Sequence, residues 1–248
     1  MPSSCIQLEP TREYLSCIAR EEELTRLQNL MKTQKSLLLF GPEGVGKSRL
    51  LRVFVNSHPL ALYVEQTKSP RDLLLTLLKE LNSGAKAQHI PGNYKSLSSS
   101  SLKGIAHRIL DAQQFVMVLD HLEGPSRILT GMIKDLHYYG RTPVIFASRS
   151  THMEDIGTLQ PLCALKSERL ELKNWPQHIA LEFAQREAEK TGLLASNLDS
   201  VLSSLVEWSD GNPFAILTML KMVKSPQYRV GDQIKSHIIY LDYRMGRR

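Results

Sequence analysis

The sequence is poor in cysteine and has no long apolar run. Its 248 residues include 3 cysteines; Cys5, Cys17 and Cys163 are scattered and form no C-x-x-C pair. Scattered thiols in odd number argue against a disulfide framework and against a zinc site. The apolar runs are far shorter than the roughly 20 residues that cross a bilayer, and residues 1–9 lack the basic-then-apolar pattern of a secretory signal. We therefore expect a cytoplasmic protein that has no membrane partner.

The chain also lacks the compositional bias of a disordered protein. Hydrophobic residues make up 42% and charged residues 23%, and both values are ordinary for a globular protein. The formal net charge is +6, with basic residues in excess in the segments 83–103 and 225–248. Such patches suit the phosphates of DNA or RNA, but a solvated surface explains them equally well.

The most specific pattern in the chain is a glycine-rich loop, which follows the apolar run 37–40 and opens the helix-like segment 49–56. It matches G-x-x-x-x-G-K-[ST] at every fixed position, in the strand–loop–helix context that a phosphate-binding loop requires. Its glycines let successive backbone N–H groups point inward, and the next helix adds partial positive charge. The loop reads Gly41-Pro42-Glu43-Gly44-Val45-Gly46-Lys47-Ser48.

Two side chains of this loop have specific predicted roles. We expect Lys47 to lie against the β- and γ-phosphates and the Ser48 hydroxyl to occupy one position on Mg²⁺. Arg49, the next residue, and the loop backbone complete the predicted phosphate contacts. The loop thus predicts nucleotide binding, with ATP and Mg²⁺ as the ligands.

Strand-like and helix-like segments alternate over the first two thirds of the chain. This alternation predicts a five-stranded parallel P-loop NTPase sheet with flanking helices, because a helix between two strands favours parallel pairing. Three helix-like segments then follow without strands, which predicts a separate small helical subdomain. The expected strands are Leu37–Phe40, Leu60–Gln66, Phe115–Asp120, Pro143–Ser148 and Arg169–Leu172.

An acid stands at the end of the third predicted strand. The apolar run before Asp120 is typical of a buried parallel strand whose carboxyl end reaches the nucleotide. We interpret Asp120 as the Walker B carboxylate, which would hold Mg²⁺ through water opposite Ser48. The fourth strand ends in Ser148 and Arg149, which would lie at the same edge.

These motifs together give the chain a family resemblance. The span 18–224 resembles an AAA+/STAND-type P-loop ATPase of the compact kind related to origin-recognition initiators and transposition-helper ATPases. Ile18-Ala19-Arg20-Glu21 is similar to the "GRE" lead-in of that family, with alanine in place of glycine. Asp120-His121-Leu122-Glu123 resembles the STAND strand ending, and Gly211-Asn212-Pro213 resembles the "G-x-P" turn of the STAND lid.

The resemblance assigns further residues to the nucleotide. It implies that Ile18 and Arg20 contact the adenine and that Pro213 lies against its face. Ser148 and Arg149 take the places of residues that read the γ-phosphate. Phe214 stands where AAA+ relatives carry the sensor-2 arginine.

Two residues compete for the role of orienting the attacking water. His121 occupies the place where AAA+ proteins put a glutamate, directly after the metal-holding acid. Glu123 matches the STAND ending, and a carboxylate is a stronger hydrogen-bond acceptor at neutral pH than an imidazole, whose ordinary pKa of about 6.5 leaves it partly protonated there. We favour Glu123 and keep His121 as the alternative.

The predicted organisation has three parts. Residues 1–172 are expected to form the nucleotide-binding α/β domain, with an N-terminal arm at 1–17 and a mobile loop at about 83–101. Residues 173–224 would form the helical lid, and residues 225–248 a short basic tail.

The function implied is that of an ATP-dependent switch or assembly factor with slow ATP hydrolysis. Its partner would be a protein or DNA, and a homo-oligomer would supply an arginine finger, for which Arg127 and Arg141 are the candidates. The alternative is a small-molecule kinase that uses the same loop. We favour the switch, because the helical segment follows the last strand instead of being inserted between strands.

Overall fold

The computed structural model describes residues 20–83 and 90–246. Their contacts divide them into two compact units. The first unit contains residues 20–41 and 47–172, and the second contains residues 42–46 and 173–246. Within these described ranges, no helix is both long and apolar enough to cross a membrane.

Strands and helices alternate along the first unit. Its strands are β1 (Leu37–Phe40), β2 (Ala61–Val64), β3 (Val116–Leu119), β4 (Val144–Ser148) and β5 (Arg169–Glu171). Its α-helices are α1 (Glu21–Thr33), α2 (Lys47–Asn56), α3 (Pro70–Ser83), α4 (Ser99–Ala112), α5 (Arg127–Tyr139) and the single turn α6 (Met153–Ile156).

The five strands form one parallel sheet, which confirms the predicted fold. Their order is β2-β3-β4-β1-β5, and every neighbouring pair is parallel. Every residue of β3 and β4 is buried, which explains their uninterrupted apolar sequences. Because β4 lies between β1 and β3, the carboxyl ends of these three strands are adjacent.

The described part of the predicted mobile loop, residues 90–101, is tied to the α/β unit. Arg71 on α3 donates hydrogen bonds to the carbonyls of Leu97 and Lys95, both at 2.8 Å. The serine run begins α4, because the Ser98 hydroxyl accepts a hydrogen bond from Ser101 N, as an N-cap residue does. The low-complexity serines are therefore a helix start in this protein.

The second unit is helical and continues to the end of the described chain. It contains α7 (Gln177–Lys190), α8 (Leu198–Trp208), α9 (Pro213–Val223) and α10 (Ser236–Gly246). A small antiparallel hairpin of β6 (Arg229–Val230) and β7 (Gln233–Ile234) precedes α10.

Residues 225–246 are part of the helical unit and not a tail. Ile234, Ile239 and Tyr243 are buried with the core side chains of α7, α8 and α9. Ile239 and Tyr243 lie one helical turn apart, so they share one face of α10. The basic residues of this segment predict a tail, whereas the spacing of its apolar residues explains why it is a helix packed into the core.

Replacing Ile239, which is 0% exposed, should destabilise the helical unit. We expect Ile239→Ala to lower the free energy of unfolding by about 2–5 kcal/mol, because it leaves a cavity in a packed core. Leu241→Ala on the same helix is the control, since Leu241 is 55% exposed, and it should cost less than about 0.5 kcal/mol. Urea unfolding followed by circular dichroism measures both, and equal small effects would show that α10 is not part of the core.

Candidate functional site

The glycine-rich loop connects β1 to α2 through backbone conformations that favour glycine. Gly41 has φ +154° and Gly46 has φ +104°, in the region that side chains strain to adopt. At Gly41 a Cβ atom would also lie 2.2 Å from the carbonyl oxygen of Leu172. At Gly46, among the described residues other than its chain neighbours, no atom lies within 4 Å of a Cβ position, so backbone conformation is what requires that glycine.

Lys47 begins α2 and lies over the loop to which it belongs. Its Nζ atom donates a hydrogen bond to the carbonyl oxygen of Gly41 at 2.7 Å. This bond joins the last part of the loop to its first residue. The ammonium group is thereby held beside the loop backbone, where an anion bound to the loop would meet it.

The buried carboxylate of Asp120 follows β3. It is 2% exposed and accepts hydrogen bonds from Tyr63 Oη at 2.8 Å and from the backbone N–H of His121 at 2.8 Å. Burial, with a further contribution from the Asp120 charge, raises the pKa of the Tyr63 hydroxyl against an opposing effect of Arg52. Tyr63 therefore stays protonated at neutral pH and holds one carboxylate oxygen in place.

His121 brings the loop and this carboxylate together. Its Nε2 atom lies 3.2 Å from Ser48 Oγ and 3.8 Å from Asp120 Oδ2. Its φ of +49° is left-handed, which is uncommon for a residue with a side chain and worth noting beside a candidate site. The structure thus places three of the predicted residues, Ser48, Asp120 and His121, in one cluster.

Ser148 and Arg149 extend this cluster at the end of β4. Ser148 pairs with Phe40 in the sheet, so it lies directly beside the start of the loop. It is 3% exposed, and its hydroxyl has no hydrogen-bond partner among the described residues. Arg149 Nε lies 3.2 Å from Glu123 Oε1, and both side chains are about half exposed.

The other predicted residues of the first unit are Ile18, Arg20, Arg127 and Arg141. Ile18 lies outside the described residues. Arg20, just before α1, is 8% exposed and pairs with Glu23 at 2.9 Å. Arg127 begins α5 and Arg141 follows it, and both are exposed. A helix of this length separates its ends by about 20 Å, so these two arginines cannot serve the same neighbouring site.

Loop residues 42–46 group with the helical unit, where they contact the turn before α9. Pro213 is buried as the first residue of α9, and its role toward adenine stays a prediction. Asn212 donates from Nδ2 to the carbonyl oxygen of Glu43 at 2.9 Å. Sequence reasoning missed Asn212, although asparagine directly before proline at a helix start indicates an N-cap.

Comparison with known proteins gives one partial family match and several proteins of similar fold. Residues 16–128 match the family model described as an AAA ATPase domain. Similar solved structures include a Walker-type ATPase of Pyrococcus abyssi, with TM-score 0.67 and 17% identity over 98% of this chain and 76% of that one. For Cdc6p of Pyrobaculum aerophilum the TM-score is 0.62 and the identity 12%, over 88% of this chain and 63% of that one. For the Orc1 protein of Aeropyrum pernix, solved in complex with DNA, the TM-score is 0.60 and the identity 14%, over 95% of this chain and 68% of that one.

These comparisons establish the fold, and they show a match of residues 16–128 to the AAA ATPase domain model. A search of curated protein sequences gave no significant match, and identities this low support the fold alone. The family match covers the phosphate-binding loop and Asp120, and the sheet has the architecture of the solved structures. The chain therefore has the fold of P-loop ATPases, and its residues 16–128 are similar to the AAA ATPase domain.

Proposed function

We propose that the protein binds ATP with Mg²⁺ and acts as a nucleotide-dependent switch of the STAND type, with slow hydrolysis. The observation that carries this proposal is the cluster at the carboxyl ends of β1 and β3. There the phosphate-binding loop, the Ser48 hydroxyl and the buried Asp120 carboxylate come together through His121.

The side chains present fit a magnesium–nucleotide complex. Mg²⁺ is usually held by one or two protein oxygens together with water and substrate phosphates, and Ser48 and Asp120 supply such oxygens. No group of three His, Cys, Asp or Glu residues that could hold a metal exists in the described part of the chain. The nucleotide phosphates would therefore have to complete the shell. The buried Ser148 hydroxyl is a further donor that a phosphate oxygen would satisfy.

Each polar side chain then has a defined task. Lys47 would exchange the Gly41 carbonyl for a phosphate oxygen. Arg149 would exchange Glu123 for the γ-phosphate, and the released Glu123 carboxylate would orient water for hydrolysis. The bound Mg²⁺ would supply neutralisation of phosphate charge.

Charge and similarity favour DNA as a partner. The net charge of +6 favours association with a polyanion, and the similar Orc1 protein was solved with DNA. A cytoplasmic location is consistent with a switch that acts on DNA or on another protein.

Lys47→Ala and Asp120→Ala should separate phosphate binding from metal binding. Lys47→Ala removes a charge-assisted contact to phosphate and should weaken ATP binding by about 100-fold or more. Asp120→Ala should weaken binding only when Mg²⁺ is present, because its carboxylate acts through the metal. Isothermal titration calorimetry with Mg²⁺ and with EDTA measures both effects.

The matched control for the lysine is Lys35→Ala. Lys35 is exposed and precedes β1, at the amino end of the strand that Lys47 follows. Its removal should leave ATP affinity within about twofold of wild type, since an exposed charge this distant is screened. Tight Mg·ATP binding by Lys47→Ala would remove the basis of the proposal.

Glu123→Gln and His121→Ala should distinguish the two candidates for orienting water. Glu123→Gln keeps the shape but loses the proton acceptor, so ATP binding should persist while turnover falls by about 100-fold or more. His121→Ala should lower turnover less. Single-turnover hydrolysis and ATP affinity are measured for each variant, and loss of hydrolysis in His121→Ala alone would transfer the role to His121.

Turnover per molecule should rise with protein concentration and with added double-stranded DNA. The reason is that a neighbouring subunit would supply the arginine that stabilises the transferring phosphate. Because Arg127 and Arg141 lie at opposite ends of α5, only one of the variants Arg127→Ala and Arg141→Ala should abolish this rise. Constant specific activity over a range in which light scattering shows oligomers would contradict the idea.

A further inference from the structure

Two backbone carbonyl groups of the phosphate-binding loop accept hydrogen bonds from the start of α9 and the residue before it. Asn212 Nδ2 donates to the Glu43 carbonyl at 2.9 Å. The backbone N–H of Phe214 donates to the Gly44 carbonyl at 3.2 Å. All four residues belong to the second contact unit, so the loop tip and the turn form one local structure.

The amide group of Asn212 has a single orientation. Its Nδ2 atom also donates to Asn174 Oδ1 at 3.1 Å, and its Oδ1 atom accepts from the backbone N–H of Ala215 at 3.2 Å. Asn174 is oriented in turn by its own bond to Asp210 at 3.3 Å. Asn212 is 8% exposed, and hydrogen bonds in such surroundings are stronger than in water.

Close contact and backbone conformation both hold this turn against the loop. A Cβ atom at Gly44 would lie 2.6 Å from Phe214 Cβ and 2.7 Å from Asn212 Oδ1, so the second glycine of the loop is needed for the approach itself. Gly211 has φ +69°, and its carbonyl accepts a hydrogen bond from Trp175 N at 3.1 Å. The turn that carries Asn212 is therefore held from its other side.

The hydrogen bonds of the two carbonyls also fix the direction of the N–H groups that follow them in the loop. The described chain has no cis peptide bond, and in a trans peptide the C=O and the following N–H point in opposite directions. A Glu43 carbonyl directed at Asn212 therefore aims the Gly44 N–H away from the turn. A Gly44 carbonyl directed at Phe214 does the same for the Val45 N–H.

We infer that Asn212 is a positioning residue for the phosphate-binding loop: by holding the Glu43 carbonyl, it aims the Gly44 amide at the β-phosphate of the nucleotide. A hydrogen bond to the carbonyl also polarises the same peptide group, which makes its N–H a better donor. The inference rests on the proposed nucleotide binding and adds a residue that lies outside the phosphate-binding motif.

The test uses Asn212→Ser with inorganic pyrophosphate and ADP as probes. Serine remains a good N-cap for α9, but it is too short to reach Glu43. Pyrophosphate has no base or ribose, so its affinity reports on the phosphate contacts alone. We expect Asn212→Ser to weaken both probes by about tenfold, the value of roughly one hydrogen bond in a polar site.

Asn197→Ser is the matched control. Asn197 precedes α8 as Asn212 precedes α9, and it donates to a backbone carbonyl, that of Ile234, at 2.9 Å. Asn197 makes this bond within the same helical unit. The variant Asn197→Ser should lower the thermal unfolding temperature about as much as Asn212→Ser does, while the affinities for pyrophosphate and ADP stay unchanged.

A spectroscopic measurement separates positioning from general destabilisation. In ¹⁵N-labelled wild-type protein, pyrophosphate should shift the amide proton resonances of Gly44 and Val45 downfield, because both amides donate to the anion. In Asn212→Ser the Gly44 shift should be smaller at saturation. Asn174→Ala, which removes one hydrogen-bond partner of the Asn212 side chain and leaves Asn212 itself in place, should give an intermediate loss of affinity and serves if Asn212→Ser does not fold.

The outcomes distinguish this inference from the proposal on which it depends. If wild type binds neither probe, and Lys47→Ala behaves identically, the proposed nucleotide binding fails and the inference with it. If wild type binds and Asn212→Ser matches it, only the inference is overturned. Equal weakening in Asn212→Ser and Asn197→Ser would also overturn it, because the effect would then be general to the helical unit.

Discussion

The order of strands in the parallel sheet is the constraint on which the candidate site depends. β4 lies between β1 and β3, and each of these three strands is followed by a polar residue or a polar loop. Carboxyl ends of parallel strands share one edge, so residues far apart in sequence meet there. Ser48, Asp120 and Ser148 are assembled by strand order, and no side-chain contact between them is needed to bring them close.

Much of this arrangement could be predicted from the sequence, because its signals are local. The phosphate-binding loop has fixed spacing, and buried parallel strands are continuous apolar runs. An acid after such a run, as with Asp120, is placed at the edge by the strand itself. The order of the strands cannot be predicted from any local sequence pattern. The position of the His121 ring cannot be predicted either, because its contact with Ser48 depends on a left-handed backbone.

The parts that sequence reasoning missed are decided by long-range packing. The basic residues of the last segment predict a tail, whereas the structure has the helix α10 there, because Ile239 and Tyr243 are buried in the core of the helical unit. The resemblance at this turn points to Pro213 and gives no role to Asn212. Its cap for α9 is readable from sequence, but its bond to Glu43 joins residues far apart in the chain and is visible only in the structure.

The partners of the two cations suggest different tasks in the proposed binding of ATP. Lys47 donates to a neutral carbonyl, so exchanging that carbonyl for a charged phosphate oxygen gains a bond about twice as strong. Arg149 already faces a carboxylate, and a half-exposed ion pair of this kind is worth only about 0–1 kcal/mol. The pair between Arg149 and Glu123 is therefore easily broken, and exchanging Glu123 for the γ-phosphate adds little to the affinity for ATP. Lys47 would supply binding, whereas Arg149 would report the γ-phosphate by releasing Glu123.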